Sequence, residues 1–212
     1  MNKKYIDMSM KDFADILASE SSMPGGGSAA AYSLALSNSL ASMVANLTTG
    51  KKKYAEYEDD IRRILDMTEN LKGKILAMVD EDAEAFLPLA AAYRMPSETD
   101  EQKQEKKDQL QRCLKEAARV PIRLLGICSE VLDIHDELLE KGSKMLISDV
   151  GVGVETLRAA AQSARLNILI NINSIEDCEY VEKIKEETDN LIKDILKRCD
   201  RIYSEVLEYV GK

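Results

Sequence analysis

The chain has 212 residues, enough for one domain with its own core. Its 29 basic and 38 acidic residues leave a net charge of −9, which argues against nucleic acid as the main partner because phosphate neutralisation needs a basic surface. We expect no membrane segment and no secretory signal, since no apolar run approaches the roughly 18 residues that span a bilayer. The four cysteines are widely spaced and form no CxxC pair, which is typical of thiols in a reducing compartment and predicts a cytoplasmic protein.

Helical periodicity runs through almost every segment, and no segment shows the alternation of a strand. The sequence therefore predicts an all-α fold, in which residues 1–212 form a single multihelical domain. The first predicted helix is short: Ser9 and Asp12 form a possible capping box, and the helix ends near Ser19.

The second predicted helix covers residues 28–49 and is closed by Gly50. Alanine and serine occupy its faces almost all round, so we expect it to be central and tightly packed. A long helix follows over residues 57–92, within which Pro88 removes one backbone donor and should kink or end the helix.

In the second half, Ser97 and Asp100 are a candidate cap pair for a charged helix that extends to about residue 120. Pro121 then starts or kinks the next helix, which ends near Gly142.

Two further helices complete the prediction. Asp149 is a candidate N-cap for a helix over residues 150–173, and Asp177 caps a final amphipathic helix that extends to about residue 210.

The segment MPGGGSAA, which begins at Met23, is the most unusual feature of the sequence. Gly25, Gly27 and Ala30 formally match a relaxed G-x-G-x-x-A dinucleotide fingerprint, but the preceding KDFADILASE is helical, and the fingerprint needs a strand there. Glycines allow close backbone approach, and a helix N-terminus attracts an anion. On composition alone a tight turn between two helices is the simpler interpretation.

Four acidic residues lie together in MVDEDAEAFLPLAAAYRMP: Asp80, Glu81, Asp82 and Glu84. Asp82 has apolar residues one turn before and one turn after it, so it lies in an apolar helix stripe. Burial would raise the pKa of its carboxyl group toward the range useful for acid–base chemistry. The alternative is that Asp82 pairs with a lysine or a backbone amide in the core, and the spacing favours neither.

Asn167 and Asn171 share a helix face with small residues that precede them. They could line a pocket for a heterocycle with many hydrogen-bonding edges, although amide bonding between helices is the simpler account. A run of three lysines, Lys51–Lys53, complements the dipole at a helix C-terminus and could also bind an anion.

His135 is the one histidine of the sequence, and charged residues surround it. We expect it on a solvated helix surface and expect no histidine-based metal site. If the protein is an enzyme, carboxylates, amides, lysines or backbone dipoles must carry its chemistry.

Three motifs occur in a fixed order over nearly the whole chain: PGGGSAAA…SMVANLTTGKKKY, DEDAEAF…YRMP and SDVGVGVETLRAAAQSARLNILIN. Together they resemble the cyclodeaminase/cyclohydrolase family of folate enzymes, which includes the C-terminal domain of formiminotransferase-cyclodeaminase and stand-alone methenyltetrahydrofolate cyclohydrolases. The resemblance implies an all-helical fold, a homodimer or dimer-based oligomer, and a tetrahydrofolate substrate that carries a one-carbon unit. It implies no metal and no tightly bound cofactor.

The resemblance also implies roles for the residues discussed above. Asp82 would be the catalytic carboxylate, with Asp80 and Glu84 as alternatives. Lys51, Lys52 and Lys53 would bind the glutamate or polyglutamate tail, and Asn167 and Asn171 the pterin edges. The folate-binding wall would include Pro24, Gly25, Gly26, Gly27 and Ser28.

We expect no formiminotransferase domain before these motifs, since residues 1–22 cannot hold one, and on that expectation the resemblance favours the hydrolysis of 5,10-methenyltetrahydrofolate to 10-formyltetrahydrofolate. The alternatives are the cyclodeamination of formiminotetrahydrofolate and a non-catalytic folate-binding or scaffold role.

Overall fold

The structure is a computed structural model that describes residues 4–212, and every regular element in that part of the chain is helical. The predicted all-α fold is therefore confirmed. Three short 3₁₀ segments supplement the α-helices, at Tyr5–Asp7, Lys52–Tyr57 and Lys144–Leu146. The α-helices are α1 (Met10–Leu17), α2 (Gly26–Asn46), α3 (Glu58–Tyr93), α4 (Asp100–Lys141), α5 (Ile147–Ile172) and α6 (Cys178–Val210).

The centre of the bundle is α2, as its small residues predict. It packs along α3 on one side and α5 on the other, while α4 contacts all three and α6 covers α4 and α5. Its buried side chains are mostly alanine and serine, which let the neighbouring backbones approach closely. The Ser28 hydroxyl donates to Val79 O, and the Asn38 amide donates to Thr68 O, so α2 and α3 run antiparallel.

Two predicted N-cap residues, Ser9 and Asp177, are confirmed, although only one of the two bonds of the predicted Ser9–Asp12 capping box forms. The Ser9 hydroxyl accepts from the Asp12 backbone amide at the start of α1, and the Asp177 carboxylate accepts from the Tyr180 amide at the start of α6. Each satisfies one of the backbone donors that a helix leaves free at its N-terminus.

Two other predicted caps are wrong. The N-cap of α4 is Thr99, which forms a reciprocal capping box with Gln102, and not the pair of Ser97 and Asp100. Asp149 lies inside the first turn of α5, because the helix begins three residues earlier than predicted. Its charge still suits the positive end of the helix dipole.

Two of the four prolines, Pro88 and Pro121, lie inside continuous helices. Pro88 lies within α3, and α4 continues past Pro121, so Pro121 does not start a new helix. Pro121 is buried, and the helical turns on either side of it also bury side chains. This packing offsets the loss of the backbone hydrogen bond that proline cannot donate.

His135 is completely buried, so the predicted surface position is wrong. Its Nε2 lies 2.9 Å from Ser37 Oγ of α2, and its ring packs against Gly153 of α5. The charged neighbours of His135 in the sequence lie on other faces of α4, where Asp133 and Asp136 pair with Arg198.

All four cysteines are free thiols, and Cys113, Cys128 and Cys199 are buried. Among residues 4–212, no helix is both long and apolar enough to cross a bilayer.

Candidate active site

The unequal lengths of the helices create a pocket. The first turn of α2, at Gly26, lies beside Asp82 of α3 and Asn167 of α5, and both of these helices continue beyond that level. The space above the α2 N-terminus is a cavity of about 270 Å³. Its floor contains Gly25–Gly27 and Asp82, and its walls contain Phe86, Leu89 and Tyr93 of α3, Leu114 and Ala117 of α4, and Asn167, Ile170 and Asn171 of α5.

Asp82 lies directly against the first turn of α2. Its Oδ2 lies 3.5 Å from Ser28 Oγ, and a Cβ atom placed on Gly27 would lie only 1.9 Å from its Oδ1. Only glycine at position 27 therefore leaves room for the carboxylate. The N-cap residue Gly25 offers no side chain to the free amides of α2, so the charge of Asp82 compensates for the missing cap.

Opposing effects act on the pKa of Asp82. Burial raises the pKa, and hydrogen bonds from Ser28 oppose that effect without cancelling it. A carboxylate with a raised pKa is a stronger base than one in water, as general base catalysis near neutral pH requires.

Asn167 and Asn171 present acceptors to the pocket. The Asn167 amide nitrogen donates to Ser163 O at 2.8 Å, and that of Asn171 donates to Asn167 O at 2.8 Å. Both bonds lie within α5, so the expected bonding between helices is wrong. The Oδ1 atoms keep their acceptor capacity.

The polar groups of the pocket share one electrostatic character. A carboxylate and two amide oxygens line it, and none of its described lining residues is basic. Such a pocket favours a ligand that is cationic and rich in hydrogen-bond donors.

The structure separates Asp80 and Glu84 from Asp82. Asp80 accepts a hydrogen bond from the Tyr5 backbone amide at 2.7 Å, and both Asp80 and Glu84 line a different cavity. Residues two apart on a helix face different directions, so the proposed alternatives to Asp82 do not reach its pocket.

The two ends of the glycine segment differ from its centre. Ser28 is completely buried and donates to Val79 O at 2.7 Å, and Pro24 is buried and does not line the pocket. Met23 and the three glycines of this segment line the pocket, while Ser28 supports the carboxylate from behind.

Lys51, Lys52 and Lys53 lie at the far end of α2. The helix rises about 30 Å between its ends, so within one chain the lysines are remote from the pocket. Their role in binding a glutamate tail stays a prediction, and the geometry of a single chain does not support it.

The sequence analysis did not identify the apolar walls of the pocket, although the helical spacing of some of their residues indicates them. Phe86, Leu89 and Tyr93 follow Asp82 at helical spacing and therefore share its face. Leu114 and Ala117 belong to another helix, and no local pattern connects them with Asp82.

The fold and the pocket together define a class of protein: a multihelical domain with an acidic pocket built over the N-terminus of a central helix of small residues. The chain belongs to the formiminotransferase-cyclodeaminase family, whose model matches residues 9–190. Among the described residues, no cluster of three or more potential metal ligands occurs.

Individual relatives agree with this assignment. The methenyltetrahydrofolate cyclohydrolase of Methylorubrum extorquens is 39% identical over 202 residues, which are 95% of this chain and 97% of that protein. The formimidoyltransferase-cyclodeaminase of Rattus norvegicus is 30% identical over 192 residues, and the match spans only 36% of its length. The crystal structure of formiminotetrahydrofolate cyclodeaminase from Thermotoga maritima matches with a TM-score of 0.81 and 29% identity, over 97% of this chain and 96% of that one.

Proposed function

We propose that this enzyme of folate one-carbon metabolism hydrolyses 5,10-methenyltetrahydrofolate to 10-formyltetrahydrofolate. The observation that carries the proposal is the half-buried Asp82 carboxylate in a pocket whose described lining has no basic side chain. The methenyl carbon lies in a cationic amidinium between N5 and N10, and this charge complements the pocket. The match with nearly the full length of a named cyclohydrolase supports the same reaction.

In the proposed mechanism, the Asp82 carboxylate stabilises the amidinium and takes a proton from the attacking water. The water oxygen bonds to the methenyl carbon and forms a tetrahedral carbinol. Asp82 then returns the proton to N5 as the bond between carbon and N5 breaks, and it accepts the hydroxyl proton as the formyl group forms on N10. Release of that proton to solvent completes the balance. Water and one carboxylate supply every step, so we propose that no cofactor takes part.

The walls of the pocket would orient the substrate. Phe86 and Tyr93 offer aromatic faces to the flat rings of folate, and the Oδ1 atoms of Asn167 and Asn171 can accept from pterin N–H groups. We propose that these contacts hold the methenyl carbon above Asp82.

Cyclodeamination of formiminotetrahydrofolate is the second candidate. The observation in its favour is the similarity to the solved cyclodeaminase, which extends over nearly the whole of both chains. The same carboxylate could assist the attack of N10 on the formimino carbon and then protonate the departing ammonia.

Two assays on one preparation distinguish the candidates. Loss of the methenyl absorbance reports hydrolysis, and ammonia release from formiminotetrahydrofolate reports cyclodeamination. We expect the first to be fast and the second slow or absent, and the reverse would establish the cyclodeaminase. Activity in neither, together with folate binding by calorimetry, would leave a non-catalytic binding protein.

We also propose a cytoplasmic homodimer. The outer faces of α2 and α5 expose large apolar side chains, including Leu36 (44% exposed), Leu166 (69%) and Ile170 (70%). Two adjacent helices about 35 Å long and about 10 Å wide present roughly 700 Å² per protomer, near the size of a standard interface. A second copy of the chain has the same complementary face. The buried free thiols suit a reducing compartment.

A further inference from the structure

A groove between α3 and α4 is lined by arginine side chains, in contrast to the candidate active site. Its volume is about 610 Å³, within the range of small-molecule sites. Ala85 and Pro88 of α3 form one wall, and Cys113 and Val120 of α4 add apolar surface. The groove shares no described lining residue with the pocket around Asp82, so it is a separate site.

The arginines of this groove lie on one side of α4. They are Arg112, Arg119 and Arg123. Because successive residues of an α-helix are about 100° apart, these three positions fall within about 40° of one another around the helix. Glu116 is the one acidic residue among the described lining residues. In a chain with a net charge of −9, the groove is therefore a local region of positive charge.

These arginines keep free donors within residues 4–212. Arg112 forms no ion pair there and donates from Nη2 to a neutral side-chain amide. Arg119 pairs with Glu116 through Nη1 alone, and Arg123 pairs with Glu81 through Nη2 alone. A guanidinium has five N–H donors in a planar fork. Each of the three groups therefore has further donors available for a ligand.

We propose that this groove binds a ligand that carries a chain of phosphate groups. Arg119 and Arg123 lie one turn apart, and the three peripheral oxygens of a terminal phosphate can accept from both guanidinium forks at once. A carboxylate has only two oxygens, which a single fork occupies. Arg112 lies two turns before Arg119, about 10 Å along the helix axis, and is placed for a further phosphate of the same chain.

Inorganic triphosphate and nucleoside triphosphates share this chemistry. The test is a calorimetric titration of the protein at physiological ionic strength, without magnesium, with sodium triphosphate, ATP and the tricarboxylate citrate. We expect saturable binding of triphosphate and much weaker binding of citrate. Tighter binding of ATP than of triphosphate would identify a nucleotide, with the nucleoside against the apolar wall, and any other order would identify the phosphate chain alone. No saturable binding of either phosphate compound, or equal affinity for citrate, would overturn the proposal.

Three substitutions of exposed side chains make the test specific. Arg112→Gln should weaken triphosphate binding about 10-fold, since a hydrogen bond between charged groups is lost. Glu116→Gln should strengthen it a few fold, because the acidic charge leaves the groove and Arg119 loses its partner. The matched control is Arg62→Gln, which removes the same positive charge outside the groove. Unchanged affinity in either Arg112→Gln or Glu116→Gln, or an equal loss in Arg62→Gln, would refute the site.

Discussion

Asp82 serves the structure and the proposed chemistry at once. Its carboxylate lies over the free amides of α2, where a helix without a capping side chain needs a negative group. The same carboxylate faces the pocket. This placement explains how an acidic residue can occupy an apolar helix stripe, which the sequence left open between a core pair and a catalytic group.

We expect Asp82→Asn to lower turnover at least ~100-fold, the usual contribution of one acid–base group. The free energy of unfolding should not fall. The burial penalty on the Asp82 charge exceeds what the carboxylate gains from its hydrogen bonds at the α2 N-terminus, so the pKa of Asp82 is raised and its ionised form opposes folding above the pKa of the unfolded chain. Asparagine is also a good cap. Steady-state kinetics and urea denaturation measure the two effects, and Glu81→Gln is the control. A rate near that of the parent protein would exclude Asp82 as the base.

Gly27 and Gly26 form a natural pair for a test of this geometry. A Cβ on Gly27 would overlap Asp82, whereas one on Gly26 would meet only Asn167, at 3.7 Å. We expect Gly27→Ala to displace the carboxylate and to lower turnover about 100-fold, as small misplacements of reacting groups do. Gly26→Ala should stay within a few fold of the parent rate. Equal effects on turnover would show that the close contact with Asp82 does not matter.

His135 makes stability depend on pH. Complete burial lowers its pKa from 6.5 to about 4, only partly opposed by the hydrogen bond to Ser37. The unfolded chain therefore binds a proton between these values that the folded chain does not, and stability falls as pH drops. From these two pKa values we expect a loss of about 2 kcal/mol between pH 7 and pH 5.

Denaturant unfolding at the two pH values measures this loss. In His135→Gln the histidine's contribution to the pH dependence of the unfolding free energy should disappear. Only the shallower dependence that comes from the carboxylates should remain. An unchanged slope in that variant would show that His135 is not the titrating group.

The packing between helices depends on close approach at a few small residues. The ring of His135 on α4 fills the space beside Gly153 on α5, so that a Cβ on Gly153 would lie 2.2 Å from His135 Cε1. A large side chain at position 135 therefore requires a glycine at position 153. The sequence showed small residues along α5 but not the partner that requires them.

Gly153→Ala should accordingly destabilise the fold by about 1 to 3 kcal/mol through overpacking. Gly126→Ala is the matched control within α4, because no atom lies within 4 Å of a Cβ there. Alanine has the higher helix propensity, so this control should gain up to ~1 kcal/mol. Thermal and denaturant unfolding compare the two variants, and a stabilised Gly153→Ala would contradict the contact.

The apolar outer face of α2 and α5 bears on the assembly of the whole molecule. Because Asn167 and Ile170 line the pocket and Ile170 also lies on this face, the edge of the proposed interface would adjoin the proposed active site. A dimer at this face would remove its exposed apolar side chains from water. The net charge of −9 opposes association through the rest of the surface.

We expect Leu36→Asp to convert the proposed dimer to a monomer, because two-fold symmetry would place the new charge in the interface twice. Leu207→Asp is the control, since Leu207 is 50% exposed on α6 and Leu36 is 44% exposed on α2. Sedimentation velocity distinguishes the states. A dimer that survives Leu36→Asp and dissociates in Leu207→Asp would move the interface to α6.

Three motifs in a fixed order were sufficient for the family. Local patterns in the sequence were sufficient for the all-helical fold, the central helix and the caps at Ser9 and Asp177. They also singled out Gly25–Gly27, Asp82 and the two asparagines, which share one pocket. These features depend on residues within a turn or two of each other, where spacing alone sets the direction of a side chain.

Only the tertiary structure decided which of these residues meet. It separated Asp80 and Glu84 from Asp82, placed the lysines a helix length away, and buried His135 against Gly153. It also added α4 to the pocket wall. The physical reason is that burial and contact depend on which helices pack together and where each one ends. The sequence of one helix does not specify which other helices will pack against it.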